Sequence, residues 1–251
     1  MNTQSNTVNQ SKVILITGAS RGIGAFTASL LAQQGHQIMV NYANNDVEAN
    51  QVVEKIQAAG GTATGFKADV SQSSQVKQLF DYTIQTYGKI DVLINNAGIM
   101  CFKKIEALDD ETIESVLSIN LKGALYTMRE AANRLEQGGK IINLSSSVIA
   151  MKLEGYGIYT ASKAAIESLT AILAKELRGK QITVNAIAPG PTATELFFEG
   201  KSDALIAQLA KAAPLERLGT VEDIAAVIDF AVSDASNWIN AQVIRTNGGI
   251  V

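Results

Sequence analysis

Three observations predict an α/β fold built on one doubly wound parallel sheet of about seven strands, with helices on both faces. Apolar runs of strand length alternate with longer helical patterns along the 251 residues. Several of these runs are near-continuous Val, Ile and Leu, the composition of strands buried on both faces. The first run passes directly into a glycine-rich turn, "ITGASRGIGAF", that opens a helix.

The expected strands are "VILIT" (13–17), "QIMVNY" (37–42), "ATGFKAD" (63–69), "DVLINN" (91–96), "KIINLSS" (140–146), "ITVNAIA" (182–188) and "QVIRTN" (242–247). Helices fill the gaps. Gly35, Gly60, Gly88, Gly138 and Gly179 punctuate their ends, where a left-handed residue stops a helix. Asp46, Ser71, Asp109 and Thr220 are the expected N-caps, and Thr220 with Asp223 has capping-box spacing. All three prolines, Pro189, Pro191 and Pro214, fall in the last third, and the stretch 190–219 breaks the rhythm. An insertion after a strand's C-terminal end lies where such sheets bind ligands, so it is expected to be a substrate lid. The polar stretch 1–11 reads as a loose tail, and 12–251 as a single catalytic domain.

Composition narrows the chemistry. With 47% apolar and 18% charged residues and a net charge of −3, the chain has no basic footprint for nucleic acid. No apolar stretch is long enough to span a membrane. The N-terminus lacks the pattern of a signal peptide, so a cytoplasmic protein is expected. The single Cys101 excludes an internal disulfide, and the single His36 leaves no basis for a metal site or a Ser-His-Asp triad. Acid–base work falls to Tyr, Lys, Asp or Glu.

Gly18, Gly22 and Gly24 follow the first strand and open a helix whose free N–H groups suit phosphate. No G-K-[ST] closes the motif, which excludes a P-loop. The second strand ends in Asn41, Tyr42, Ala43 and Asn44, with no carboxylate for a ribose 2′-hydroxyl, and Arg21 stands in the loop as a partner for a 2′-phosphate. Both features favour NADP over NAD, with Asp46 the residue nearest to arguing otherwise.

In "GYGIYTASK" (155–163), Tyr159 and Lys163 stand four apart on a helix and share a face, whereas Tyr156 has Thr160 at that spacing. A free phenol has a pKa of about 10. A cation at ~4 Å is worth roughly 4 kcal/mol at an effective dielectric of ~20, and an oxidised nicotinamide ring would add a second positive charge, so together they are expected to draw Tyr159 down towards working pH. Ser146 is expected to give the reacting oxygen a second hydrogen bond, with Ser145 and Ser147 on the opposite face. Asn120 lies inside a long amphipathic helix, where asparagine is a poor choice without a local reason.

Taken together, "TGASRGIG" (17–24), "NNAG" (95–98), Asp69-Val70, Asn120, Ser146, Tyr159, Lys163, Pro189-Gly190, Thr192, Thr194 and "NGG" (247–249) resemble the short-chain dehydrogenase/reductase family over nearly the whole chain. The resemblance implies a Rossmann fold and the catalytic set Asn120, Ser146, Tyr159 and Lys163. It implies coenzyme contacts from Gly18, Ser20, Arg21, Gly22, Ile23, Gly24, Asn41, Tyr42, Ala43, Asp69, Val70, Asn96, Ala97, Gly98, Pro189, Gly190, Thr192 and Thr194, besides Tyr159 and Lys163. Asn120 would kink its helix around a water and link Lys163 to solvent. The C-terminal part resembles the branch of 3-oxoacyl-carrier-protein reductases and NADPH-dependent aldehyde or ketone reductases.

The expectation is therefore an NADP(H)-dependent reductase of a small-molecule carbonyl (a thioester, aldehyde or ketone). A non-catalytic NADP-binding sensor or scaffold is the alternative. A homotetramer is expected, with the helices near 110–136 and 158–178 pairing across subunits. Met100 and Cys101 are expected near the cleft mouth. Trp238 is expected at an interface or in the core, and Lys175, Arg178 and Lys180 at a helix end.

Overall fold

The computed structural model describes residues 11–251. The expected tail thus lies, apart from Ser11, outside the described residues. Seven parallel strands form one sheet in the order β3-β2-β1-β4-β5-β6-β7. They are β1 (Val13–Ile16), β2 (Gln37–Tyr42), β3 (Thr62–Lys67), β4 (Val92–Asn95), β5 (Lys140–Leu144), β6 (Thr183–Pro189) and β7 (Val243–Thr246). Every expected strand is present, and the doubly wound fold is as the alternation predicts. Strand order reverses between β1 and β4, the switch point at which such sheets open a crevice.

Helices α1 (Gly22–Gln33) and α2 (Asp46–Ala58) lie on one face of the sheet, and α3 (Ser73–Tyr87) lies on the other. Next come α4 (Asp110–Leu117), α5 (Ala124–Arg134), the one-turn α6 (Val148–Met151) and α7 (Gly157–Glu176). The irregular stretch after β6 carries α8 (Glu195–Phe198) and α9 (Asp203–Ala212), and α10 (Val221–Val232) precedes β7. The two faces bury separate cores. Leu31, Ile56 and Ile228 pack with Ile14, Ile16 and Ile94 on the first face. Phe80, Met128, Ile166 and Leu173 pack with Leu15, Leu93 and Ile141 on the second. This division explains the unbroken apolar runs, because alternate residues of each strand enter different cores.

A buried polar chain crosses the middle of the sheet. The Thr127 hydroxyl donates to Asn95 Oδ1 at 2.6 Å, Asn95 Nδ2 to Asn143 Oδ1 at 2.9 Å, and Asn143 Nδ2 to the Thr170 hydroxyl at 2.9 Å. It joins α5, β4, β5 and α7.

Two expected caps are corrected. Asn45, not Asp46, caps α2, accepting from the Glu48 amide at 3.1 Å. The Asp46 carboxylate is held instead by Lys67 at 2.8 Å and the Tyr42 hydroxyl at 3.1 Å. Helix α3 starts at Ser73 with Gln72 before it, and the Ser71 amide is tied to Asp69 Oδ1 at 2.9 Å. Asp109 caps α4 and Thr220 forms the capping box with Asp223, both as expected. The helix expected over 110–136 is not continuous, because Ser118–Gly123 widen into a π-helical turn between α4 and α5.

His36 is buried, and its Nδ1 accepts from the Lys12 amide at 3.1 Å, a structural role. Trp238 is 98% exposed, which removes it from the core.

Candidate active site

A cleft runs along the C-terminal ends of the strands in two limbs, which share Ile23, Asn96, Gly98, Thr194 and Leu196 as walls. The first limb, about 1200 Å³, opens over the glycine loop. Gly18, Ser20, Arg21, Gly22, Ile23, Asn41, Ala43, Asp69, Val70, Asn96, Ala97 and Gly98 line it. The loop's glycines are required by close approach. A Cβ on Gly24 would stand 2.5 Å from Asn96 Nδ2, and Gly18 has φ +61° with Ala97 Cα 2.8 Å from its would-be Cβ. Asn96 locks the loop by donating to the carbonyls of Thr17 at 3.0 Å and Gly18 at 2.7 Å. The Thr17 hydroxyl accepts from the amides of Asn96 and Ala97, each at 3.1 Å.

The N-terminus of α1 has no side-chain cap and no acidic residue in its first turn. The N-termini of α2, α4, α8, α9 and α10 are each capped by a side chain. Uncapped N–H groups behind a glycine cradle suit the diphosphate of a dinucleotide. Arg21 is the one cation among the residues lining this limb. Its guanidinium pairs with Glu195 Oε2 of α8 at 3.1 Å. Tyr42 does not line the limb beside Asn41 and Ala43, because its ring is buried and its hydroxyl engages Asp46.

The second limb, about 920 Å³, lies between α7, the segment after β5 and the stretch after β6. Tyr159 and Lys163 line it from α7, Ser146 from the end of β5, and Pro189, Gly190, Thr192 and Thr194 from the opposite wall. Ser145 to Ser147 lie beyond the last β5 residue but keep bonding to β6, with the Ser145 amide on Ile187 O at 2.7 Å and the Ser147 amide on Pro189 O at 2.9 Å. The expected alternation holds. Ser145 donates to Glu167 and Ser147 to Ala188 O, while Ser146 faces Tyr159.

Lys163 is buried and donates to Leu144 O at 2.7 Å, its ammonium 5.8 Å from the Tyr159 ring centre. Desolvation lowers its pKa to about 8. Lys163 alone does not produce the depression expected of Tyr159, an expectation that also counted on the nicotinamide charge. Burial raises the Tyr159 pKa to about 12, with the Ser146 hydroxyl pulling the other way. Burial dominates at the phenol, and the Lys163 ammonium is bonded to the Leu144 carbonyl.

Asn120 sits in the π-helical turn and is buried. Its Nδ2 donates to Ile99 O at 2.9 Å and its Oδ1 accepts from the Ile99 amide at 2.8 Å, a double bond to the loop after β4. A Cβ on Gly98 would meet Asn120 Oδ1 at 3.3 Å and Lys163 Nζ at 3.6 Å, so both side chains border one backbone step.

Apart from Ser145, the remaining walls of this limb are mostly apolar, among them Met100, Val148, Met151, Leu153, Tyr156, Leu196, Phe197 and Leu209. Lys163 is the one charged side chain among the lining residues. Cys101 is half-buried and does not line the limb, although Met100 does. Tyr156 serves as a wall. The Arg21–Glu195 pair has no signal in the sequence, since the partners lie 174 positions apart.

Known proteins share this fold and much of the sequence. A sequence-family model described as "Enoyl-(Acyl carrier protein) reductase" matches residues 18–251. A short-chain type dehydrogenase/reductase of Picea abies is 46% identical over 250 residues, covering 96% of this chain and 92% of its own. The NADPH-dependent aldehyde reductase 2 of Arabidopsis thaliana, a chloroplastic protein, is 42% identical over 253 residues, with 95% and 93% covered. Among solved structures, a Burkholderia cenocepacia protein crystallised with bound NADP superposes with a TM-score of 0.93 at 30% identity, covering 98% of this chain and 96% of that one. A short-chain dehydrogenase/reductase of Serratia marcescens gives 0.91 at 30% identity, with 96% and 98% covered.

Proposed function

Because the chain belongs to the short-chain dehydrogenase/reductase family, we propose that it reduces an apolar aldehyde or ketone to the alcohol with NADP(H), with Tyr159 as proton donor. The observation that carries this reading is the meeting of Tyr159, Ser146 and Lys163 where an apolar limb joins a glycine-cradled one. The family places it among oxidoreductases. The names of the Arabidopsis relative and of the NADP-bound structure support the choice of coenzyme and of an aldehyde.

The glycine loop and the α1 N-terminus would hold the diphosphate, Arg21 the 2′-phosphate, and Asp69 and Val70 the adenine. Thr192 and Thr194 would face the nicotinamide half, and the stretch 190–219 would fold over it as a lid. NADPH, when bound, supplies the hydride. Negative charge then grows on the substrate oxygen, and the chain's own groups answer it. Ser146 donates a hydrogen bond that strengthens as charge grows. Tyr159 gives up its proton to that oxygen. A phenol with its pKa near 12 is fully protonated at neutral pH, so it arrives ready to donate. An alkoxide is a stronger base than a phenolate, and the transfer runs downhill. Lys163 then offers positive charge beside the phenolate, and Asn120 keeps the loop after β4 in place around it.

The apolar walls favour an apolar carbonyl compound. The test is NADPH oxidation with an aliphatic aldehyde, a diketone and an acetoacetyl thioester, with NADH in parallel. Aldehyde or ketone turnover above that of the thioester is expected. Thioester preference would move the substrate to the acyl-carrier branch. Tyr159→Phe is expected to lower turnover by at least two orders of magnitude while still binding NADPH. Undiminished turnover would refute the proton-donor role, and coenzyme binding with no turnover of any carbonyl would favour the sensor reading.

A further inference from the structure

We propose that Glu195 sets coenzyme selectivity through Arg21, by competing with the 2′-phosphate for its guanidinium, and that this exchange also releases the lid. The inference rests on Arg21 meeting the 2′-phosphate in the function proposed above.

Arg21 is the one cation lining the coenzyme limb, so a 2′-phosphate there has no other cationic partner among the lining residues. It is already engaged: its Nη1 lies 3.1 Å from Glu195 Oε2. Glu195 is the first residue of α8, the helix that opens the lid. The contact between loop and lid is local and tight. Thr194 Cγ2 lies 3.7 Å from the Cβ that a side chain at Gly22 would have, and Thr194 and Leu196 line both limbs. The pair therefore ties the coenzyme loop to the lid by one salt bridge across the groove.

A guanidinium cannot make its best contacts with a carboxylate of the lid and with a phosphate dianion at the far end of the limb at once. A ligand carrying the 2′-phosphate breaks the pair; a ligand lacking it leaves the pair intact. Glu195 is thus a positioning residue, acting through Arg21. Both side chains are more than half exposed, at 58% and 74%, so solvent screens the pair and its effect on affinity is small.

The experiment measures binding of 2′,5′-ADP and of 5′-AMP to the full chain and to Glu195→Gln, Glu195→Asp and Arg21→Ala. Hydrogen exchange of the amides over 194–198 is followed in the same samples. Glu195→Gln is expected to tighten 2′,5′-ADP about two- to fivefold and to leave 5′-AMP unchanged. Glu195→Asp is expected to behave like the parent. Exchange over 194–198 should rise in free Glu195→Gln, and in the parent on adding 2′,5′-ADP, which lacks the nicotinamide half that would cover the lid. Equal tightening of both nucleotides would reduce the effect to overall charge and overturn the proposal, as would no change in either. If Arg21→Ala weakens 2′,5′-ADP while Glu195→Gln is inert, the latch falls and the role of Arg21 stands. If Arg21→Ala leaves 2′,5′-ADP unaffected, the phosphate assignment fails and takes the latch with it.

Discussion

Lys163 is buried among the strand ends with a carbonyl for a partner, and its pKa falls to about 8. The sign of its pH dependence follows. On the proposed mechanism, the ammonium below about 8 is charged and would stabilise the phenolate that reduction leaves on Tyr159; above it that charge is lost. The rate of carbonyl reduction is therefore expected to fall as pH rises through about 8, read as kcat/KM from pH 6 to 10. Tyr159 contributes no second fall inside that range, because its own pKa lies near 12. A rate that climbs through pH 8 would contradict the assignment. The pairing of Tyr159 with Lys163 was legible from their spacing, and so was the choice of Ser146 over its neighbours, because both follow from helix and strand periodicity. The raised phenol pKa was not. It follows from burial of the ring, and the ammonium that would oppose it is bonded to the carbonyl of Leu144, 19 residues away.

Secondary-structure elements were legible where one local rule governs them. The inner strands announce themselves because both faces are buried, and most ends were misplaced by a residue or two: β5 was drawn two residues too long, past buried Ser145, and β6 one too short, before Pro189. Thr220 and Asp223 cap α10 as their spacing implies. Replacing Thr220 by Ala is expected to cost about 1 kcal/mol and to lower Tm by roughly 2–4 °C, measured by thermal unfolding. Asp46 was misread because Asn45 and Asp46 are both competent caps. Lys67 on β3 decides between them by claiming the carboxylate. The π-helical turn was hidden for a related reason. Asn120 signals that the helix is disturbed, but its partner Ile99 lies in a loop after another strand. Close packing at the same turn, where a Cβ on Gly123 would stand 2.9 Å from Val70 Cγ2, is equally invisible in one dimension.

At the scale of the whole molecule, the winding order divides the labour. The ends of β1, β2, β3 and β4 carry most residues of the coenzyme limb, while β5, β6 and α7 carry Ser146, the opposite wall, Tyr159 and Lys163. The stretch after β6 contributes Thr194 and Leu196 to both limbs. Among the described residues, no helix is long and apolar enough to cross a membrane. The expected homotetramer is testable by light scattering at micromolar concentration, where a mass near four times 26.6 kDa is expected and a monomer would refute it. The exposed indole of Trp238 supplies a second readout, since its fluorescence should redden on dilution if assembly covers it.

The polar chain through Asn95 and Asn143 has a consequence for manufacture rather than strength. Strands of a parallel sheet can in principle slide, and a slip of one step turns every side chain to the other face. Here Asn95 stands opposite Asn143, and each amide is consumed by the other and by a threonine of a flanking helix. A slipped pairing would strand several polar atoms in a dry interior. The two halves of the sheet thus assemble like keyed parts that admit one alignment, and the gap between coenzyme and substrate is gauged when the chain folds, before either molecule arrives.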